Sequence, residues 1–300
     1  VSDWLTRNGF PGWLVAIVWL VTAFFGFQIL AALVALGVLA SEMSMQEILA
    51  NISNLVEYPH ALFTGNSAGQ ILVLGLGSWW LSRIAVSKEG RKAYFRLTPV
   101  PGMGKTIALA VALTIAVQPI ILLLGWLNLQ LPLPESWIEL DKMQMTMIEK
   151  LLSGDMPLWI MLFHVAVVPA VCEELMFRGI ILRNFERELP PWVAVVLTGT
   201  LFGLYHLRFT QALPLILLGI LITWLVWRTG SLWVVVAVHF VNNAGSVVFA
   251  SYFPEIAFDP TFTESAPPVY LVVAGVLVSA AVFTLLIQHL NASTERSEAG

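Results

Sequence analysis

The chain is short of charge and almost free of cysteine. Only 11% of its 300 residues are Asp, Glu, Lys or Arg, and 58% are hydrophobic. Soluble domains carry about 25% charged residues, so this chain cannot cover a globule with polar groups. The lone Cys172 excludes an intrachain disulfide and a cysteine-built zinc site. The net charge of -4 gives no support to nucleic-acid binding. No Asp lies in any long apolar run, which argues against an aspartyl protease working inside the membrane. There is no HExxH, the helical signature of a zincin. No internal repeat is visible, and the one low-complexity stretch is the polar tail Asn291 to Gly300.

What is present is a series of apolar runs. A helix needs about 20 apolar residues to cross the hydrocarbon, and eight candidate spans can be read. They run from about Trp13 to Leu39, Gly69 to Val86, Lys105 to Leu127, and Pro157 to Phe185. The rest run from about Pro191 to Leu207, Gln211 to Trp227, Leu232 to Tyr252, and Pro268 to Leu290. The expected fold class is an all-α polytopic transmembrane bundle of about eight spans. With the N-terminus inside, Arg7, Arg83, Lys88, Arg91, Lys92, Arg96, Lys105, Arg183, Arg187, Arg228 and Arg296 all fall on the cytoplasmic side. Only Lys142, Lys150 and Arg208 fall outside, among acidic residues such as Glu57, Asp141, Asp155, Glu255 and Glu264. That asymmetry follows the positive-inside rule. It places both termini in the cytoplasm and the protein in a cell's inner or plasma membrane. Val38-Leu39-Ala40 resembles a signal-peptidase site, but the apolar run before it is too long for a signal core. Glu135 to Leu152 reads as an interfacial or solvated helix outside, with Ile138, Met143, Met147 and Leu151 opposite its charges.

Polar residues inside the spans are the informative ones. A charge at the centre of a membrane helix costs about 2.5–3.5 kcal/mol on insertion scales, so it faces protein or a wet cavity. The fourth span carries Glu173, Glu174 and Arg178. Glu174 and Arg178 are one turn apart and can pair. Glu173 points about 100° away, which leaves one carboxylate neutralised and one for chemistry; a purely structural charge cluster is the plain alternative. In the fifth span Phe202 and His206 are four apart, and in the seventh His239 and Asn243 are four apart, with Asn242 beside them. Polar groups on separate helices satisfy themselves by converging. A carboxylate, two imidazoles and an amide in one desolvated pocket suffice for acid–base hydrolysis. His60 and His289 read as solvated span edges, His164 as structural or cavity-lining, and Cys172 as a small buried filler. Counted from the span ends, Glu173 and His206 lie at depths differing by about 15 Å. Either the fifth span begins outside the hydrocarbon or the turn near Arg208 is sunk in the bundle.

Glu173-Glu174-Leu-Met-Phe-Arg178 reads EExxxR, Phe202 to His206 reads FxxxH, and His239 to Asn243 reads HxxxN. In this order the three motifs resemble the CPBP or ABI family, which includes the type II CAAX prenyl endopeptidases. The resemblance spans about Phe163 to Ala250. It implies that Glu173 and His206 activate a water, and that His239 and Asn243 stabilise the oxyanion. It also implies that Glu174 and Arg178 hold the site and that Phe202 packs beside His206. The substrate implied is a lipidated or other membrane-bound peptide. No cofactor is expected, although Glu and His are zinc ligands and a divalent metal is the open alternative. The chain divides into N-terminal helices over 1–156, a catalytic core over 157–252, and a final span with its tail over 253–300.

Two motifs look like decoys. Gly65-Asn-Ser67-Ala-Gly69 fits GxSxG but reads as a loop at a span margin, where a serine nucleophile lacks a histidine. Gly102-Met-Gly104-Lys105-Thr106 is misspaced for a phosphate loop. Two rival functions share these residues: a non-enzymatic bacteriocin-immunity or scaffold protein, and a transporter with Glu173 in a proton relay. A transporter is expected to show inverted repeats.

Overall fold

In a computed structural model, the structure describes residues 4, 8–152, 156–259 and 265–298. Arg7, Asp155 and Glu264 of the charge pattern lie outside the described residues. Every regular element among the described residues is helical. We label the main helices α1 (Gly12–Ala40) and α2, the unbroken run of Pro59–Gly69, Gln70–Gly77 and Ser78–Ala85. They continue with α3 (Met103–Leu129), α4 (Glu135–Leu152), α5 (Leu158–Phe185), α6 (Pro191–Tyr205) and α7 (Phe209–Thr229). The last two are α8 (Leu232–Tyr252) and α9 (Val269–Glu298).

Six of these (α1, α3, α5, α7, α8 and α9) are long and apolar enough to cross a membrane. The chain is therefore an integral membrane protein. The two remaining expected spans are also helical. α6 is a shorter apolar helix of 15 residues. α2 is polar over its first turns, because Thr64, Asn66 and Ser67 precede the apolar run.

α5 is the axis of the bundle. Half of its most apolar window is buried, against 11% for α1 and 17% for α3 and α9. It lies between α2 and α8, while α1 packs on α2 and α3 bridges α7, α8 and α9. α6 and α7 form the closest pair. A Cβ on Gly199 would collide with the Ile220 backbone nitrogen, and one on Gly219 with the Gly199 carbonyl oxygen. Small residues give membrane helices this approach, and dispersion then holds them.

α5 is not a uniform α-helix. π-helical stretches at Phe163–Val167 and Leu175–Ile181 flank the α-helical Val168–Glu174. Such stretches are rare and occur often at functional sites. α3 breaks at Val117, where Pro119 lacks the N–H that would continue the ladder.

Contacts between loops agree with the order of crossings. Arg96 pairs with Glu186 at 2.7 Å, two residues expected on one side. Lys150 pairs with Glu57 at 2.9 Å, two residues expected on the other. His60 is half exposed and pairs with Glu42, as a span-edge histidine should.

Two expectations are corrected. His289 is not solvated: it is 8% exposed, and its Nε2 lies 3.1 Å from Thr106 Oγ1, because α9 runs on past it against α3. Ser67 is not in a loop. It lies inside α2, is 4% exposed, and its Oγ is 2.6 Å from His164 Nδ1. α4 has the expected bounds, with Met143 72% and Met147 42% exposed and Asp141 buried. Gly102 supplies a left-handed cap (φ 67°) to α3, a conformation that glycine adopts without strain.

Candidate active site

Glu173 and Glu174 close the α-helical middle of α5, and Arg178 stands one turn on, in the π-helical stretch. Arg178 Nη1 donates to Glu174 Oε1 at 2.8 Å, and both side chains are fully buried. The guanidinium is completed from α7. Nε donates to Thr223 Oγ1 at 3.2 Å and Nη2 to the Gly219 carbonyl at 3.0 Å. Its plane also lies 4.4 Å from the centroid of Phe202, a cation–π contact. A buried charge held this way is compensated on several sides, which burial requires.

Glu174 does a second job. Its Oε1 accepts from His239 Nδ1 at 2.7 Å. The other ring nitrogen, Nε2, lies 4.0 Å from Glu173 Oε2. The buried imidazole thus stands between the two carboxylates, tied to one and facing the other. Glu173 Oε2 is buried and has no hydrogen-bond partner among the described residues.

Phe202 sits among these groups. Its ring is edge-on to His206 (4.9 Å between centroids), to Phe177 (5.1 Å) and to His239 (5.9 Å). His206 caps α6, and its Nδ1 lies 2.8 Å from the Phe202 carbonyl. A carbonyl only accepts, so Nδ1 carries the proton and Nε2 is the free acceptor. Among the described residues, no hydrogen bond or ion pair joins His206 to either glutamate. Asn243, one turn after His239, donates from Nδ2 to the Val165 carbonyl at 3.1 Å, at the π-helical stretch of α5.

Sequence reading missed several supporting groups. Thr223 and Gly219 complete Arg178. Gln118, at the break in α3, donates to Asn242 Oδ1 at 3.3 Å, and Asn242 donates to Asn243 Oδ1 at 3.3 Å. That amide chain orients Asn243 with its nitrogen side available. The turn after His206 is held by buried polar side chains, although its own Leu207 is 37% exposed. Its backbone is met by Asn128 and Asp141, which are 1% and 2% exposed. The pointer to Gln118 was a polar residue beside a proline inside an apolar run.

The Ser67–His164 pair is another polar contact between spans, and it differs in kind. His164 also stacks on Phe63 at 5.4 Å. The pair ties α5 to α2, and GxSxG here lies along a helix with no strand-to-helix elbow. Cys172 is 5% exposed, and its Sγ packs against Gly75, as a small buried filler.

The segment that carries all three motifs is also the one that known families share. Residues 155–245 match the Rce1-like family, type II CAAX prenyl endopeptidases. At the level of the family this supports a CAAX-type protease embedded in the membrane. No curated protein and no solved structure matches the chain. The Rce1-like segment covers α5 to most of α8, so α1 to α4 and α9 surround it from outside the match. Glu173, Glu174, Arg178, Phe202, His206, His239 and Asn243 all fall within it.

Among the described residues, no group of three or more His, Cys, Asp or Glu side chains is placed to hold a metal ion. Glu174 is committed to Arg178 and His239 Nδ1 to Glu174, which leaves Glu173 and His239 Nε2, 4.0 Å apart, as the donors that face each other. Two facing donors fall short of the three protein ligands of a catalytic zinc site.

Proposed function

We propose that the protein is an intramembrane endopeptidase that hydrolyses a peptide bond near the C-terminus of lipidated, CAAX-like or other membrane-bound substrates. The observation that carries this reading is His239, pinned at Nδ1 by a buried glutamate and facing a second glutamate through Nε2. Polar groups about 4 Å apart can be bridged by one water. Glu173 takes a proton from that water as it attacks the scissile carbonyl. His206 shares the task through Nε2, its only free nitrogen. The tetrahedral oxyanion is met by Asn243 Nδ2 and by His239 Nε2 in the ring form protonated on both nitrogens, since Nδ1 already donates to Glu174; such donors are worth about 2.7–4 kcal/mol each in comparable sites. The proton held by Glu173 then passes to the leaving amine, and the C–N bond breaks. Glu174 and Arg178 touch no reacting atom and hold His239 in orientation. In this reading both termini are cytoplasmic, 157–252 is the catalytic unit, and the substrate enters from the bilayer or a cytoplasmic cavity.

The test is proteolysis of a farnesylated CAAX peptide by purified protein in detergent, beside Glu173→Ala, His206→Ala and a chelator. Cleavage by the wild type and its loss in both variants is the expected result. Cleavage by Glu173→Ala at the wild-type rate overturns the assignment. Chelator sensitivity would overturn the metal-free mechanism.

A further inference from the structure

We propose that Asp141 and Asn128 are positioning residues for His206, so that α4 acts as a clasp on the turn from which His206 projects. This rests on the role given to His206 above. Both residues lie outside the segment matched to the Rce1-like family, so the family assigns them nothing.

The turn needs holding. α6 stops at Tyr205, His206 is its cap, and Leu207 adopts φ 52°. A leucine in the left-handed region persists only where its surroundings over-determine it. Asn128 reaches over from α3 and uses both ends of its amide. Nδ2 donates to the Phe209 carbonyl at 2.9 Å, and Oδ1 accepts from the Leu213 N–H at 2.8 Å. Asp141 Oδ2 accepts from the Thr210 N–H, and Oδ1 lies 3.6 Å from Arg208 Nε. Trp137 stacks on Phe209 with centroids 4.1 Å apart.

α4 has little other reason to bury a charge. Its exposed side chains include Leu140, Met143 and Met147, and its far end carries the exposed Lys150–Glu57 pair. Asp141 and Leu151 are its buried side chains. An outer helix that buries an aspartate two residues from a catalytic histidine's own turn fixes where that imidazole stands. A displacement of about 1 Å at a reacting group costs on the order of a hundredfold in rate.

The experiment compares Asp141→Ala with Asp141→Asn, which keeps an oxygen for Thr210 N–H. Asp141→Ala should lower kcat about a hundredfold with KM changed less than about twofold, and Asp141→Asn should recover to within about fivefold of wild type. Lys150→Ala is the control and leaves both constants unchanged. Wild-type kcat in Asp141→Ala, or equal losses in Ala and Asn, overturns the proposal. A second readout needs no catalysis. In ¹⁵N-histidine spectra, assigned through His206→Ala, the wild type shows the Nδ1–H form of His206 and Asp141→Ala loses it. If no peptide is cleaved by wild type, the hydrolase reading fails by itself. The spectrum then still decides the clasp, because an unchanged His206 signal in Asp141→Ala overturns it.

Discussion

Replacing Glu174 by Ala separates structure from chemistry in this site. The change leaves Arg178, fully buried, with Thr223 and Gly219 as neutral partners. Stranding one member of a buried ion pair costs about 3–5 kcal/mol. For a chain of this size that corresponds to roughly 6–20 °C in Tm, taking 2–4 °C per kcal/mol. Cys172 provides the assay. It is the sole cysteine, 5% exposed, and two residues from Glu174. A thiol-reactive fluorophore therefore reads the opening of α5 as the protein is heated in detergent. The double variant Glu174→Ala/Arg178→Met removes the stranded charge and should regain most of the lost stability, since apolar replacement of a buried pair is often neutral. It should stay inactive, because His239 Nδ1 has lost its acceptor. A single variant that melts with the wild type, or a double variant that melts as low as the single, refutes the pairing argument.

Gln118→Ala cuts the amide chain that orients Asn243, and should lower kcat about tenfold with little change in KM, read by steady-state cleavage of the same peptide. Ser67→Ala should retain wild-type cleavage while lowering Tm, since His164 loses a partner but no reacting group is touched; full loss of activity would instead support a serine nucleophile. Gly199→Val would drive a side chain into the Ile220 backbone and should cost about 1–3 kcal/mol of stability, together with activity, measured by thermal unfolding and peptide cleavage.

The spans were legible because lipid imposes one rule: hydrocarbon asks for long apolar helices, and loops carry the charge. That rule located α1, α5, α8 and α9 to within a few residues at most of their starts. It ended the last span at about Leu290, whereas α9 continues to Glu298, and so His289 looked like an edge residue. The three motifs were legible because charges and imidazoles in apolar runs need partners. The i,i+4 pairing of Glu174 with Arg178 survived even though Arg178 lies in a π-helical stretch. Other contacts were hidden. Nothing local to Ser67 announces His164, 97 positions away. Asp141 looked like one more acidic residue of an outer segment, because its burial depends on where α4 folds back. Hydrophobic pattern gives which face of a helix is apolar, but not which neighbour covers it.

The site's geometry also depends on a contact between residues that carry no chemistry. Gly199 and Gly219 let α6 and α7 touch through their backbones. That approach sets α7 where the Gly219 carbonyl can receive Arg178 Nη2 at 3.0 Å. Thr223, one turn further on α7, binds the same carbonyl at 2.6 Å and accepts from Arg178 Nε at 3.2 Å. Arg178 then fixes Glu174, and Glu174 fixes His239. On the other side of the pair, α6 carries Phe202, whose ring lies against the Arg178 guanidinium and whose carbonyl fixes His206 Nδ1. Both imidazoles are therefore oriented through one helix pair, by separate hydrogen bonds that start from it. A side chain at Gly199 would push α7 from α6 and disturb both imidazoles at once, whereas a change at Glu174 removes a direct partner of His239 alone of the two. The tandem glutamates follow from the same economy of polar groups. One carboxylate closes the chain from Arg178 to His239, and its neighbour, on the other side of the imidazole, is the one to which the proposed mechanism gives the water.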